Sequence, residues 1–356
     1  MSRVRILDLS FQELAALLTG WGEPPYRARQ LWQWLWRKWA TSFQEMTDLP
    51  SALRERLACE FQLEVARPGA VQLDAEEGTE KVLLSLLDGE KIEAVLIRDE
   101  GRRTVCVSTQ VGCPVGCRFC ATGQMGFVRN LTPGEIAAQV LHFARRLASG
   151  GERVTHVVVM GMGEPLLNYQ ATLRALHNLH HPQGFALGGR KMTLSTVGVV
   201  PGIRKLAREG LPLNLAISLH APRDELRRKL VPWGKQWGVR EVVEAADEYA
   251  AATGRRVTYE YVLLRGVNDG LREARELGKL LRGRLAHVNL IPFNPAPGLP
   301  FHRPPPRRVE AFREELLRWG VDVTVRRSRG VRIRAACGQL RTRVGAKDAG
   351  FSSRLP

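Results

Sequence analysis

From Val105 onward the chain alternates short apolar runs with amphipathic ones, and this alternation limits the fold more than any other feature. TVCVST, THVVVM, KMTLS, LNLAISLH, VTYEYVLL and HVNLIPFN read as strands. LTPGEIAAQVLHFARRLA, YQATLRALHNLH, VPGIRKLARE, VREVVEAADEYAAAT, REARELGKLLRG and RRVEAFREELLRWG read as helices. In the first of these Thr132 is the expected N-cap, followed by Pro133 and, three residues after the cap, by Glu135. That is the composition of a capping box. Strands and helices in strict succession predict a parallel sheet with right-handed crossovers. About six such units fall short of the eight that close a barrel. The expectation is an α/β fold, an open, partial (β/α)6 barrel.

Barrels of this kind bind ligands at the carboxyl ends of their strands. Polar or strained residues gather there in this chain: Gly163-Glu164-Pro165, Ser195-Thr196, Ser218 and His220, and Asn294-Pro295. At the same rim the first strand runs into GCPVGCRFCATG, Gly112 to Gly123. Cys113, Cys117 and Cys120 are spaced C-x3-C-x2-C, with Phe119 before the last thiol. Gly112, Pro114 and Gly116 let the backbone bend around one metal centre. Three thiolates can hold a [4Fe–4S] cube and leave one iron open to an external molecule. A structural zinc loop or three unrelated buried cysteines are the alternatives. Zinc usually takes four ligands, often from two C-x2-C pairs, and no second pair exists here.

The segments before the barrel read differently. Leu7, Leu9, Phe11, Leu14, Leu17 and Leu18 form an approximate helical stripe, with Ser10 as a plausible N-cap. After the breakers of GWGEPP a second helix restarts, with Leu31, Trp32, Leu35 and Trp36 on one side and Arg27, Arg29, Arg37 and Lys38 on the other. The tryptophans suit the core of a small helical domain, which needs large side chains. Arginines beside exposed aromatics also suit a nucleic-acid surface. From about Leu63 to Arg98 turn signals at Glu77-Gly78 and Asp88-Gly89 separate apolar runs, predicting a β-meander. Within KIEAVLI, Glu93 shares a strand face with Val95 and Ile97. A carboxylate on such a face is either a rim residue in water or a sheltered general base. The tail, VDVTVRRSRGVRIRAACGQLRTRV, packs arginines around a small-residue turn that holds Cys337. Cationic neighbours favour thiolate there and would also hold phosphates. The resulting division is 1–62 helical accessory domain, 63–100 meander linker, 101–330 barrel and 331–356 tail.

Lys+Arg 53 against Asp+Glu 36 gives a net charge of +17, which argues for an anionic partner. No apolar run approaches the ~20 residues of a membrane span. The opening MSRVRILDLS has no signal-like apolar region, and a cluster loop among six cysteines suits a reducing compartment. A cytoplasmic protein with a nucleic-acid partner and no membrane contact is expected.

GCPVGCRFCATG together with GMGEPLLN, TLSTVGVVPGI, AISLHAP, EYVLL and ACGQL resembles the RlmN/Cfr family of radical S-adenosylmethionine (SAM) RNA methyltransferases, over almost the whole chain. The resemblance implies that Cys113, Cys117 and Cys120 hold a [4Fe–4S] cluster whose free iron is chelated by SAM. It implies a SAM pocket lined by Gly163, Glu164, Ser195, Ser218, Leu219, His220 and Asn294. Cys337 would take a methyl group from one SAM. A radical made from a second SAM would activate that methyl for addition to an adenine carbon, which polar SAM chemistry cannot reach. Glu93 would remove the ring proton, and Cys106 would resolve the adduct through a transient disulfide with Cys337. Cys59 matches no role and is expected as a core or partly buried thiol. The implied substrates are adenosine 2503 of 23S rRNA and adenosine 37 of tRNA, methylated at C2. The family's resistance branch methylates C8 instead. A reductant such as flavodoxin or ferredoxin and a monomeric state complete the expectation. Two other classes stay open, a radical-SAM enzyme for a small molecule or peptide and a non-catalytic iron–sulfur RNA-binding protein.

Overall fold

The computed structural model describes residues 4–340. The first segment holds α1 (Phe11–Gly20), α2 (Pro25–Trp36) and α3 (Ser51–Glu60), bracketed by β1 (Val4–Arg5) and β2 (Phe61–Gln62), which pair in parallel. Ser10 caps α1 as expected: Glu13 N donates to Ser10 Oγ at 3.2 Å, and Ser10 N donates to Glu13 Oε2 at 2.7 Å. Leu31, Trp32, Leu35 and Trp36 are all buried, so these tryptophans are core. Each removes about 150–250 Å² from water, a gross gain of roughly 4–6 kcal/mol. Trp21 and Trp34 are half-buried and carry cations on their faces, Arg56 at 3.9 Å and Lys38 at 3.6 Å. Cys59 is exposed on α3, contrary to expectation, because the short helix turns only Leu53 and Leu57 inward. The segment docks on the barrel helices: Asp8 Oδ1 accepts from Gly134 N at 2.7 Å, and Leu9 O accepts from Asn178 Nδ2 at 3.0 Å.

The meander strands are β3 (Ala66–Asp74), β4 (Thr79–Leu86) and β5 (Lys91–Asp99), with turns where the glycine signals lie. They lead antiparallel into β6 (Arg102–Cys106). A hairpin of β7 (Gln110–Gly112) and β8 (Phe127–Asn130) carries the cysteine loop. Then follow α4 (Pro133–Ala148), β9 (His156–Val159), α5 (Tyr169–His180), β10 (Met192–Thr196), α6 (Val200–Leu206) and β11 (Asn214–Ser218). Next come α7 (Asp224–Leu230), α8 (Val239–Thr253), β12 (Val257–Leu263), α9 (Leu271–Leu281), β13 (Ala286–Pro292), α10 (Pro306–Arg318) and β14 (Asp322–Val325). Thr132 caps α4 in a capping box with Glu135.

All of β3–β6 and β9–β14 lie in one ten-stranded sheet, in the order β14-β13-β12-β11-β10-β9-β6-β5-β4-β3. Strands β6 and β9–β14 run parallel, and among the described residues the two edge strands do not meet. The barrel is open. Two features depart from the sequence reading. The meander is a continuation of the barrel sheet, not only a connection to it. The stretch read as the start of the tail contributes β14, a seventh parallel strand.

Register across the meander matters for the site. Lys81 pairs with Val95 and Val95 with Cys106, so these three form one row on one sheet face. Glu93 lies two residues along β5 from Val95, on that same face.

Candidate active site

A cavity of about 760 Å³ opens at the carboxyl ends of the parallel strands. The three loop cysteines, Cys106, Cys337 and most of the expected SAM residues line it. The hairpin positions the loop: Cys113 N donates to Gly126 O at 2.8 Å, and Cys120 N to Cys117 O at 3.2 Å. Gly123 permits the wrap, since a Cβ there would stand 2.6 Å from Cys117 O. Burial pushes the Cys113 thiol up to about 12 and the Cys120 thiol up as well. It also raises Cys117, with its two sister thiols adding to the effect. Such crowded, buried thiols ionise when a metal centre supplies positive charge. Three thiols from one loop match the donor set of a [4Fe–4S] cluster, whereas structural zinc usually takes four ligands.

Glu164 opens the turn after β9. Its Oε1 accepts from Leu166 N at 3.0 Å and its Oε2 from Val197 N at 2.8 Å. Burial raises its pKa to about 7 against those hydrogen bonds. A cationic amino group beside it would favour the ionised form. Gly163 has φ +103, and a Cβ there would meet Gln110 Cβ at 2.6 Å. Ser195 and Ser218 stand on neighbouring strands with their hydroxyls 3.3 Å apart. Asn294 is buried, and its Oδ1 has no partner among the described residues. An unpaired buried acceptor in a cavity wall is what a ligand donor would satisfy.

His220 adopts φ +61, a strained conformation for a non-glycine residue. Val262 N donates to its Nδ1 at 3.1 Å, and Asn268 Nδ2 donates to its carbonyl at 2.9 Å. Burial and then Arg227 lower its pKa to about 3, so the ring is neutral with its proton on Nε2. The ring stands edge-on to Phe119 at 4.7 Å, joining the strand end to the cysteine loop. Leu219 does not line the cavity. Its side chain is fully buried and its amide donates to Glu260 O at 3.1 Å. The alternation of a strand that turns at Ser218 sends that side chain into the core.

The Cys337 turn is pinned from several sides. Ala121 N donates to Gly338 O and Thr122 Oγ1 to Leu340 O, both at 2.8 Å. Gln339 Nε2 donates to Pro295 O at 2.7 Å, while Gln339 Oε1 accepts from Ala336 N at 3.2 Å. The exposed surface of Cys337 faces the cavity. Cys106, at the end of β6, feels the charge of Cys337 and of Arg326. The sequence predicted a Cys337 thiol favouring thiolate. Instead desolvation by the surrounding cavity wall raises it against the charge of Arg326, even though its surface opens to the cavity, and burial raises Cys106 to about 12. The tail arginines are also committed differently. Arg329 pairs with Asp99 at 2.6 Å and Arg332 with Glu76, clamping the tail to the meander. Residues 341–356 of the expected tail lie outside the described residues.

Glu93 is 2% exposed and does not line the cavity. Lys81 Nζ stands 3.0 Å from its Oε1 and donates to Arg334 O at 3.2 Å. Sequence reasoning missed Lys81, Gln339 and Arg326 as parts of the site. Gln339 stood inside a quoted motif, and Arg326 was one arginine among many. Lys81 had no local signal, because its partner lies one strand away and only register brings them together.

An open barrel with three cavity-facing cysteines at its carboxyl rim, and an orphaned acceptor in the same cavity, defines a radical-SAM enzyme. Comparison with known proteins narrows this. Residues 107–278 match the radical SAM superfamily, and residues 4–63 match the ribosomal RNA large subunit methyltransferase N-terminal domain. A probable dual-specificity RNA methyltransferase RlmN of Symbiobacterium thermophilum is 50% identical over 351 residues, covering 98% of this chain and 94% of its own. A counterpart in Thermus thermophilus is 52% identical over 320 residues, 90% of each. A crystal structure of a radical SAM methyltransferase from Sphaerobacter thermophilus matches with a TM-score of 0.92 at 49% identity, over 95% of this chain and 99% of that one. The chain belongs to the RlmN family of radical-SAM RNA methyltransferases. Among the described residues no helix is long and apolar enough to cross a membrane.

Proposed function

We propose that this chain methylates C2 of adenine in RNA, at adenosine 2503 of 23S rRNA and adenosine 37 of tRNA, with Cys337 as carrier of the methyl group. One observation carries the reading: the cluster cysteines, Cys337 and Cys106 share a single cavity. The curated relatives named for dual specificity toward RNA, the matched N-terminal domain and the net charge of +17 support the substrate class.

Cys113, Cys117 and Cys120 would hold the cluster, and Glu164, Ser195, Ser218 and Asn294 the SAM beside it. Cluster and SAM, when bound, supply the one-electron chemistry that makes and later quenches a carbon radical. The protein's own residues do the rest. Cys337 accepts a methyl group on sulfur, and after hydrogen abstraction the resulting methylene bonds to C2 of adenine. Glu93 takes the C2 proton. Cys106 then attacks the Cys337 sulfur. The sulfur–carbon bond breaks toward carbon, which gains a proton and leaves as methyl, while the two cysteines remain as a disulfide. An external two-electron reductant restores both thiols. Each turnover consumes two SAM molecules.

The test is anaerobic reconstitution with iron and sulfide, incubation with SAM, reductant and each RNA, and mass spectrometry of the nucleosides. 2-Methyladenosine from both RNAs is the expected product. 8-Methyladenosine would move the chain to the family's other regiochemistry, and unmodified adenosine from both RNAs would end the proposal.

A further inference from the structure

The arginine run after β14 is only partly spent on holding the tail. Arg329 Nη2 donates to Asp99 Oδ1 at 2.6 Å and its Nη1 to Arg98 O at 3.3 Å, tying the run to the β5–β6 turn. Arg326, three residues earlier, has no hydrogen-bond or ion-pair partner for its guanidinium among the described residues. Glu260 acts on it through charge but bonds elsewhere: Asn289 Nδ2 donates to Glu260 Oε2 at 2.8 Å. Arg102 stands opposite Asp99 in the β5–β6 ladder. Its side chain is exposed and equally without a hydrogen-bond or ion-pair partner among the described residues.

The strands concerned, β6 and β14, are the first and last of the parallel run. Arg102 and Arg326 nevertheless line the same active-site cavity. Both also line a second cavity, of about 670 Å³, which reaches the amino end of β12 at Arg255 and Arg256. Val158, Met160 and Glu260 are shared as well, so the two spaces meet. Arg255 is held by Asn214 Oδ1, and Arg256 by Asp322 at 3.1 Å. Arg102 and Arg326 are not held, and they flank the space where the cavities join.

Like charges around a concave space repel unless an anion lies between them. A guanidinium offers two parallel N–H donors, which match a phosphate. The position adjoins the chemistry, since Arg326 is near enough to Cys106 and Cys337 for its charge to act on both thiols. A base splayed out of single-stranded RNA brings its backbone to the entrance of its pocket.

We propose that Arg102 and Arg326 form a phosphodiester-binding site that grips the RNA backbone beside the target adenosine as its base enters the cavity. The site takes the charge of the linkage and not the identity of a base, so it adds affinity and register without sequence preference. The inference rests on the reading of adenosine in RNA as the substrate.

The test measures binding of the reconstituted enzyme, without SAM, to an RNA hairpin with the tRNA adenosine 37 in its loop, over a range of salt concentrations. Arg102→Gln and Arg326→Gln should each weaken binding about tenfold at low salt. Each should also flatten the slope of log affinity against log salt by about 0.7, the value for one phosphate of a single strand. Arg102→Lys and Arg326→Lys, which keep the charge, should keep the slope. Arg240→Gln removes an exposed charge on α8 that is likewise without a partner among the described residues, and should change neither quantity. Hairpins with a neutral methylphosphonate in place of single linkages around the adenosine locate the partner. One such replacement should weaken the parent by a similar factor and leave the Arg102→Gln, Arg326→Gln double variant unaffected. An unchanged slope in both Gln variants overturns the proposal, as does an equal loss in Arg240→Gln. Displacement of RNA by inorganic phosphate at constant ionic strength, with every methylphosphonate hairpin bound like the unmodified one, would assign the site to free phosphate and also overturn it. If the Gln variants do not fold, the methylphosphonate series on the parent decides, and a series without any loss ends the proposal. A parent that binds no RNA ends the substrate reading instead.

Discussion

The amide of Ala121 donates to the carbonyl of Gly338 at 2.8 Å. Ala121 follows the last loop cysteine and Gly338 follows Cys337, so the cysteine loop and the Cys337 turn are one hydrogen-bonded unit. The Cys337 turn cannot drift from the cysteine loop without breaking that bond and the neighbouring one from Thr122 to Leu340.

That unit makes the two outer cysteines separable by experiment. Cys337→Ser should leave iron content unchanged and abolish both the protein-bound methyl group and the product. Cys106→Ala should acquire the methyl group and stop at a covalent protein–RNA adduct, visible on a denaturing gel. Free, methylated RNA from Cys106→Ala would remove Cys106 from the scheme.

Asn294 Oδ1 is a buried acceptor without a partner among the described residues. Filling it with a ligand donor should contribute about 1–3 kcal/mol. Asn294→Ala is expected to weaken SAM binding about 5- to 150-fold in calorimetric titration, with iron content unaltered. Parental affinity would mean that the oxygen serves something else.

Gly163→Ala would force a Cβ against Gln110 at a φ of +103. Strain of this kind costs about 1–3 kcal/mol. Because Gln110 Oε1 accepts from Glu164 N at 2.8 Å, the displaced side chain should also disturb the SAM pocket. A lower melting temperature and a higher KM for SAM are expected together; a change in neither would show that the turn adapts freely.

His142 supplies a pH-dependent term. Burial, then Arg145 and Arg146, lower its pKa from 6.5 to about 4. A depressed folded-state pKa means that the unfolded chain binds the proton first. The stability this group contributes is therefore present above pH 6.5 and falls away as pH drops toward 4. Between pH 7 and 5.5 the parent should lose about 1 kcal/mol more than His142→Gln. Denaturant unfolding of both proteins at the two pH values measures it, and equal losses would show that His142 is not the sensor.

Much of this molecule was legible in residue order. The caps at Ser10 and Thr132, the buried face of Leu31, Trp32, Leu35 and Trp36, and the meander turns are set by neighbours within a few positions. So is the cysteine spacing, because one short loop must wrap one centre. Strand β14 escaped notice because four residues at a sheet edge carry too little pattern to separate from an arginine-rich tail.

Tertiary structure decided what depends on distant chain segments meeting. Hydrophobic period and thiol spacing are local properties, so the sequence by itself determined an open α/β barrel with a three-cysteine loop at its rim. Whether a thiol favours its ionised form is the balance of desolvation against nearby charge, and for Cys106 desolvation won over Arg326. That Arg329 and Arg332 clamp the tail, that Leu219 faces the core and that Lys81 meets both Glu93 and Arg334 follow from register and packing. No run of adjacent residues encodes those contacts, since each energy exists only once two remote surfaces exclude water between them.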